Sequence, residues 1–265
     1  MQSFNYVKPA SLADAAAALS GADDGTVLAG GQTLLPTMKA RLAAPSDVVD
    51  LGGIAELKGI SVSGGTVTIG AMTRHADVAG SADVKGAIPA LAALAGGIGD
   101  QAVRNRGTMG GSVANNDPAA DYPAAVLGLG ATVKTTSREI AADDFFTGMF
   151  ETALAEGEIV TSISFPQPEK AAYAKFPNPA SRYAMVGVFV AKTASGVRVA
   201  VTGAGNGGVF RVPAYEAALS ANFSPDAIAD GVVSAADMNS DLHADAEYRA
   251  HLVCVMARRA VAAAG

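Results

Sequence analysis

The sequence predicts an α+β protein made of two or three sub-domains, and three observations carry this prediction. Short β-type and helical runs alternate irregularly along the 265 residues, without the regular strand–helix–strand order of a parallel α/β sheet. Two pairs of β-type runs are joined by short turns that contain glycine. Four prolines between positions 166 and 179 separate these two hairpins. We therefore place a domain boundary there and divide the chain into residues 1–170 and 171–265.

The first element is a helix with a recognisable start. Ser11 is followed three residues later by Asp14, where a capping box has Glu or Gln, and an Ala-rich run continues to Leu19. Further helices are predicted where an apolar run lies between glycines, where an N-cap serine precedes a proline, and at the C-terminal end. These three lie at residues 86–99, from Ser224 onward, and at 247–263.

The β segments are short and bounded by turn residues. The strongest signal is the hairpin in which residues 60–63 and 66–69 flank Gly64-Gly65. A second hairpin joins residues 184–192 and 197–203. Single strands are predicted at 26–29, 47–51, 131–135 and 159–165. The stretch from Asp100 to Tyr122 has no clean period and is rich in Gly, Asn and Asp, so we predict a long structured loop, which in compact domains is usually functional.

The composition excludes several classes of function. Lys and Arg number 19 against 25 Asp and Glu, a formal charge of −6, so we expect no nucleic-acid partner. One cysteine excludes an intramolecular disulfide and a self-contained four-cysteine zinc or iron–sulfur site. The first residues lack the basic and apolar regions of a secretory signal. The longest uncharged run, 86–99, is shorter than the ~20 residues of a membrane span. We therefore expect a cytoplasmic protein.

Two glycine-rich segments indicate anion binding. They are Ala29–Leu34 and Arg104–Pro123, and each places Gly-Gly beside hydroxyl or amide side chains. Glycine lets a ligand approach the main chain, and consecutive N–H groups then bind phosphate oxygens. Thr33, Thr108 and Ser112 can add hydroxyl donors. Two such segments suit a pyrophosphate, although plain tight turns remain the alternative. Neither segment matches the dinucleotide fingerprint or the P-loop.

Several polar side chains have both a functional and a structural interpretation. Asp121 is the better candidate to accept hydrogen bonds from sugar or ribityl hydroxyls, whereas Asp117 is expected to form an Asx-turn before Pro118. Arg104 and Arg106 serve equally well as anion clamps or as loop-fixing donors. For the histidine at position 75, a capping or surface role is expected over a ligand contact.

Three segments together resemble a known family. Ala29–Leu34, Thr68–Ala71 and Arg104–Pro123 resemble the FAD-binding medium subunits of molybdenum hydroxylases, the xanthine dehydrogenase family, and among these the aerobic carbon monoxide dehydrogenase type. The resemblance spans the whole chain. It implies a PCMH-type FAD-binding fold of two N-terminal sub-domains and a C-terminal α+β domain that covers the flavin.

The resemblance also implies a set of cofactor-binding residues. Lys175 and Tyr183 stand at the family's spacing of Lys and Tyr, and the Tyr would gate the flavin face. The chain departs from the family at Arg182, where an Asp is frequent. The implied FAD-binding residues are Ala29, Gly30, Gly31, Gln32, Thr33, Leu34, Ile69, Gly70, Ala71, Thr108, Met109, Gly110, Gly111, Ser112, Asn115, Asp121, Lys175 and Tyr183.

The resemblance further implies that the chain works in a complex. Substrate would be oxidised at a molybdenum–pterin centre of a large subunit, and [2Fe–2S] clusters of a small subunit would pass electrons to FAD in this chain. A dimer of heterotrimers is implied, with a quinone as acceptor, reached directly or through an anchor at the inner face of the membrane. No catalytic or metal-binding residue is expected in this chain, because one Cys and three His cannot hold the clusters.

Two other functions remain open at this point. One is a free-standing PCMH-type flavoprotein oxidoreductase, of the UDP-N-acetylenolpyruvoylglucosamine reductase type, although no Ser or Glu is evidently placed over a flavin. The other is a non-enzymatic module whose glycine segments hold another nucleotide or nothing.

Overall fold

The N-terminal sub-domain is a small parallel sheet with its helices. A computed structural model describes all 265 residues. The hydroxyl of Ser11 accepts from the main-chain N–H of Asp14 at 3.1 Å, which confirms the predicted helix start. The sheet has the order β1-β3-β2, with both pairs parallel. Its elements are β1 (Asn5–Val7), α1 (Leu12–Ser20), β2 (Gly25–Leu28), α2 (Leu34–Lys39) and β3 (Asp47–Asp50). The strands predicted at 26–29 and 47–51 are confirmed as β2 and β3. The parallel strand–helix alternation was not predicted, because β1 and α2 are too short to carry a readable period.

The second sub-domain is a five-stranded antiparallel sheet covered by helices. The strand order is β4-β5-β10-β6-β7, and the predicted hairpin β4–β5 is confirmed. Its elements are β4 (Ile60–Ser63), β5 (Thr66–Gly70), α3 (His75–Gly80), α4 (Ala82–Ala87), α5 (Pro89–Gly96), α6 (Gln101–Arg104), α7 (Met109–Asn115), α8 (Tyr122–Leu129), β6 (Thr132–Thr135), β7 (Glu139–Ala141), α9 (Ala142–Phe145), β8 (Phe146–Gly148), β9 (Glu151–Thr152) and β10 (Val160–Pro166). Strands β8 and β9 form a separate small ribbon.

Two predictions for this sub-domain were wrong. The single helix at 86–99 is two helices, because Pro89 cannot continue α4 and instead occupies the first turn of α5. The long loop from Asp100 to Tyr122 contains α6 and α7. Asp100 and Thr108 accept at the N-termini of these helices, from the N–H groups of Val103 and Gly111. Capping and close packing thus stabilise helices in a segment whose glycine-rich composition by itself favours turns.

The C-terminal domain is a four-stranded antiparallel sheet with two helices. The strand order is β11-β12-β13-β14, and the predicted hairpin β12–β13 is confirmed. At Ser224 only a 3₁₀ turn forms, so the helix predicted there was wrong, while the predicted C-terminal helix is confirmed. The elements are β11 (Lys170–Pro177), β12 (Ala184–Thr193), β13 (Gly196–Thr202), β14 (Phe210–Arg211), α10 (Pro213–Ala221) and α11 (Ala246–Ala264).

The C-terminal domain is hydrogen-bonded to the segment that follows α7. The Thr202 hydroxyl donates to the carbonyl oxygens of Pro118 and Ala120, at 3.0 and 2.7 Å. The N–H of Gly203 also donates to the Pro118 carbonyl, at 2.8 Å. Residues 118–120 therefore fix the position of the C-terminal sheet relative to the second sub-domain. None of the helices combines the length and the apolar character that crossing a membrane requires.

Candidate functional site

A cavity of about 1380 Å³ lies between the two N-terminal sub-domains and reaches Tyr183 of the C-terminal domain. It is larger than the roughly 300–1,000 Å³ of a pocket for a drug-sized ligand, so it accommodates an extended one. Most of the residues predicted from the sequence line it. These are Ala29, Gly30, Gly31, Gln32, Thr33, Leu34, Ala71, Thr108, Gly110, Gly111, Ser112, Asn115, Asp121 and Tyr183.

Four predicted residues do not line the cavity. The side chains of Ile69 and Met109 are fully buried in the core of the second sub-domain. Gly70 packs against the Leu57 carbonyl, and a Cβ there would lie 2.4 Å from that oxygen. Lys175 lies behind Asp121 and contacts it. Direct contact of these four with a ligand is therefore not supported by their positions.

Glycines bring the three predicted segments into contact. A Cβ on Gly30 would lie 2.3 Å from the carbonyl oxygen of Arg106 and 2.7 Å from the Cα of Gly107. A Cβ on Gly110 would lie 2.5 Å from that of Ala71. No larger residue fits at either position unless the backbone moves. Gly30 and Gly110 thus set the distance between the two glycine-rich segments and the turn after β5.

The loop between β2 and α2 presents unpaired main-chain donors. The N–H groups of Gly30, Gly31, Gln32 and Thr33 have no hydrogen-bond acceptor within the chain. The Thr33 hydroxyl does not cap α2. Most main-chain N–H groups in folded proteins are paired, so four consecutive free donors at a cavity wall indicate an anion-binding loop. This is the arrangement that the first glycine segment predicted.

The second glycine segment differs from its prediction. The N–H groups of Met109 and Gly110 donate to the carbonyls of Thr73 and Ala71, at 3.0 and 2.8 Å. The N–H of Gly111 donates to the Thr108 hydroxyl at 3.2 Å. The expectation of free N–H groups here was therefore wrong, because capping and the neighbouring turn satisfy them. The segment contributes close packing, and the Ser112 hydroxyl remains free at the cavity wall.

Asp121 belongs to a buried cluster at the inner end of the cavity. Its Oδ1 accepts from the Tyr173 hydroxyl at 2.6 Å and lies 3.0 Å from Lys175 Nζ. Burial raises the pKa of Asp121, while Lys175 and Tyr173 stabilise the carboxylate and offset part of that rise in pKa. Lys175 also donates to the carbonyls of Gly97 and Arg182, at 2.8 and 2.9 Å. All three ammonium donors are thus engaged, which gives Lys175 a structural role between the domains.

His75 is buried, so the surface role predicted for it was wrong. Gly107 and Tyr122 surround its ring, and the two aromatic centroids are 5.2 Å apart. Burial lowers the pKa of His75 to about 4, with a smaller contribution from Arg104, and its Nδ1 has no hydrogen-bond partner. A neutral imidazole therefore lies at the cavity wall at physiological pH.

The cavity also includes residues that the sequence did not indicate. The turn between β9 and β10 lines it with Glu156 and Glu158, and neither residue belongs to a recognisable motif. Glu158 accepts from the guanidinium of Arg138 and from the N–H of Ala155. These hydrogen bonds lower the pKa of Glu158 to about 2, and the bond to Arg138 has the largest effect.

The Glu158→Gln variant is expected to be less stable than the parent chain at neutral pH and about equally stable at very low pH. Ionised Glu158 stabilises the fold fully above its ordinary pKa of 4.5, and this contribution disappears as the pH falls toward about 2. We expect a deficit of about 1 kcal/mol at pH 7, because Arg138 is half-exposed. In urea unfolding curves, the deficit should shrink steadily below pH 4.5 and approach zero only at about pH 2. Glu156→Gln, which removes no hydrogen bond, is the control, and a deficit that did not change with pH would contradict this prediction.

A family model and several characterised proteins match this chain. A model of the FAD-binding domain of molybdopterin dehydrogenases matches residues 2–168. The nicotine 6-hydroxylase medium subunit of Paenarthrobacter nicotinovorans is 37% identical, with 100% of this chain and 98% of that protein aligned. The carbon monoxide dehydrogenase medium chain of Hydrogenophaga pseudoflava is 35% identical, over 98% of this chain and 96% of that protein. The chain is an FAD-binding subunit of the molybdenum hydroxylase family.

Solved structures confirm the PCMH-type fold expected for such a subunit. Carbon monoxide dehydrogenase from H. pseudoflava superposes with a TM-score of 0.92 at 36% identity, over 99% of this chain and 97% of that chain. Quinoline 2-oxidoreductase from Pseudomonas putida 86 superposes with a TM-score of 0.89 at 28% identity, over 99% of this chain and 97% of that chain. The two superpositions cover the C-terminal domain as well as the FAD-binding domain.

Proposed function

We propose that this flavin subunit carries electrons from iron–sulfur clusters of a partner subunit to an external acceptor, as part of a heterotrimeric molybdenum hydroxylase. The observation that carries the proposal is the row of four unpaired N–H groups from Gly30 to Thr33 at the wall of a cavity of about 1380 Å³. These donors fit a pyrophosphate, and the Ser112 hydroxyl lies at the same cavity. Bound FAD supplies one- and two-electron chemistry, while this chain binds and orients it.

The metal centres are assigned to partner chains. A [2Fe–2S] cluster is held by four Cys thiolates, or by two Cys and two His, and this chain has one Cys and three His. We therefore assign two such clusters to a small subunit and the molybdenum–pterin centre to a large subunit, with a dimer of heterotrimers as the assembly. Substrate oxidation then takes place outside this chain, which needs no substrate-binding catalytic residue.

Carbon monoxide is the first substrate to test, with a quinone as acceptor. The carbon monoxide dehydrogenase medium chains of two organisms are 35% and 36% identical to this chain. An N-heterocycle is the second candidate, because the nicotine 6-hydroxylase medium subunit is 37% identical. Since the large subunit selects the substrate, the flavin subunit has little reason to differ between these enzymes.

Purification through a tag on this chain tests the proposal. FAD, Fe and Mo are measured per tagged chain, and we expect about one FAD, about four Fe and about one Mo. Carbon monoxide, an N-heterocycle and an aldehyde are then added in turn, and the substrate that bleaches the flavin absorbance identifies the enzyme. FAD without metals or co-purifying chains would indicate a free-standing flavoprotein instead. Absence of FAD would contradict the assignment of the loop from Gly30 to Thr33.

A further inference from the structure

Tyr183 is held in one position at the edge of the cavity by the loop that precedes it. This loop, residues 178–183, connects β11 to β12, and Tyr183 lines the cavity with a half-buried side chain. Its ring also faces that of His243, with centroids 6.3 Å apart and an angle of 67° between the planes. Tyr183 therefore forms part of the rim of the cavity.

Asn178 makes the hydrogen bonds that shape this loop. The residue is 4% exposed, although Pro177 and Pro179 on either side are exposed. Its Nδ2 donates to the Tyr183 hydroxyl at 3.1 Å, and its main-chain N–H donates to the Tyr183 carbonyl at 2.9 Å. Its Oδ1 accepts from the N–H groups of Ala180 and Ser181, at 2.9 and 3.3 Å. One buried amide therefore forms the turn and also holds the phenol at its end.

The neighbouring residues are fixed as well. Arg182 adopts a left-handed conformation with φ of +65°, which a non-glycine residue rarely adopts without support. Its N–H donates to the Asn178 carbonyl and its own carbonyl accepts from Lys175, both at 2.9 Å. On the far side of the ring, Asp241 accepts from the N–H of His243 and from the buried Arg249. Tyr183 thus has hydrogen bonds to Asn178 on one side and the ring of the exposed His243 on another.

We propose that Asn178 is a positioning residue that fixes Tyr183 at the cavity mouth and so sets how easily an external electron acceptor reaches the cofactor. The inference rests on the proposed function for the FAD in the cavity and for the external acceptor. The hydrogen bond between Asn178 and Tyr183 lies within this chain and does not depend on the proposed function. A net hydrogen bond of this kind changes the population of a displaced ring by about fivefold. Asn178 acts through Tyr183 and is not expected to contact the cofactor.

The test uses the FAD-loaded chain and three variants, Asn178→Ala, Tyr183→Phe and the double variant. Iodide quenching of the bound flavin fluorescence measures access to the cavity. Asn178→Ala should raise the quenching constant about fivefold. Tyr183→Phe removes the hydroxyl that accepts from Asn178 and should therefore also raise the quenching constant. The double variant should raise the quenching constant by less than the two single variants combined, because both single variants remove the same bond between Asn178 Nδ2 and the Tyr183 hydroxyl. Asn178→Ala also removes the turn bonds from Ala180 and Ser181. Asn222→Ala, at an exposed asparagine without side-chain hydrogen bonds, should leave quenching unchanged.

A second readout does not require FAD. Amide hydrogen exchange across residues 178–183 should accelerate in Asn178→Ala in the chain without cofactor, and not in Asn222→Ala. Unchanged quenching in Asn178→Ala, or additive effects in the double variant, would overturn the inference. If the chain bound no FAD, the proposed function would fail while the exchange experiment still tested the loop.

Discussion

Replacing Gly30 with alanine is expected to weaken FAD binding by about 100-fold. The new Cβ would lie 2.3 Å from the Arg106 carbonyl oxygen and 2.9 Å from its carbon, and both belong to main chain rather than to a flexible side chain. Relieving that overlap moves the donor loop away from the second glycine segment. Overpacking of this kind costs about 1–3 kcal/mol, and the upper end corresponds to about 100-fold in affinity.

The matched control for this variant is Gly80→Ala. Gly80 ends α3 on the surface, and a Cβ there would meet nothing within 4 Å. Fluorescence titration of the cofactor-free chain with FAD gives the affinity, and circular dichroism monitors the fold. We expect Gly80→Ala to bind FAD as the parent chain does. Equal affinity of the two variants would show that the contact between Gly30 and Arg106 is not needed for binding.

The Lys175→Met variant is expected to lower the free energy of unfolding by about 3–5 kcal/mol. Lys175 and Asp121 form an ion pair whose side chains are 10% and 5% exposed. Removing the ammonium leaves a buried carboxylate with Tyr173 as its remaining partner and frees the carbonyls of Gly97 and Arg182. Breaking one side of a buried pair is costly for this reason.

A surface ion pair provides the control for Lys175. Lys192 and Glu169 lie 3.0 Å apart, with side chains 42% and 59% exposed, so Lys192→Met should cost less than about 1 kcal/mol. Urea unfolding of each variant, followed by circular dichroism, measures the difference. The Asp121→Asn/Lys175→Met double variant should recover part of the loss, because no unpaired charge then remains. Equal small losses for Lys175→Met and Lys192→Met would contradict the structural role of Lys175.

The predictions from local sequence patterns were correct where neighbouring residues decide the conformation. The Ser11–Asp14 helix start, the hairpin around Gly64-Gly65 and the C-terminal helix all formed as predicted. Their capping bonds, turn residues and apolar periods lie within a few positions of one another. The α+β class followed from these elements, and the family followed from the glycine segments because so long a run of specific residues seldom occurs by chance.

The sequence by itself determined the class and the family, and most of the residues that it predicted for the site line the cavity, whereas the tertiary structure decided how each residue is used. The N–H groups of Gly110 and Gly111 pair with Ala71 and with Thr108, while those of the first glycine segment stay free. Lys175 donates to Gly97 and Asp121, which are 78 and 54 positions away, and to the nearby Arg182. Asn178 holds Tyr183 within the same loop. A hydrogen-bonding group is free or occupied according to what packs against it, and partners such as Ala71, Gly97 and Asp121 come from distant segments.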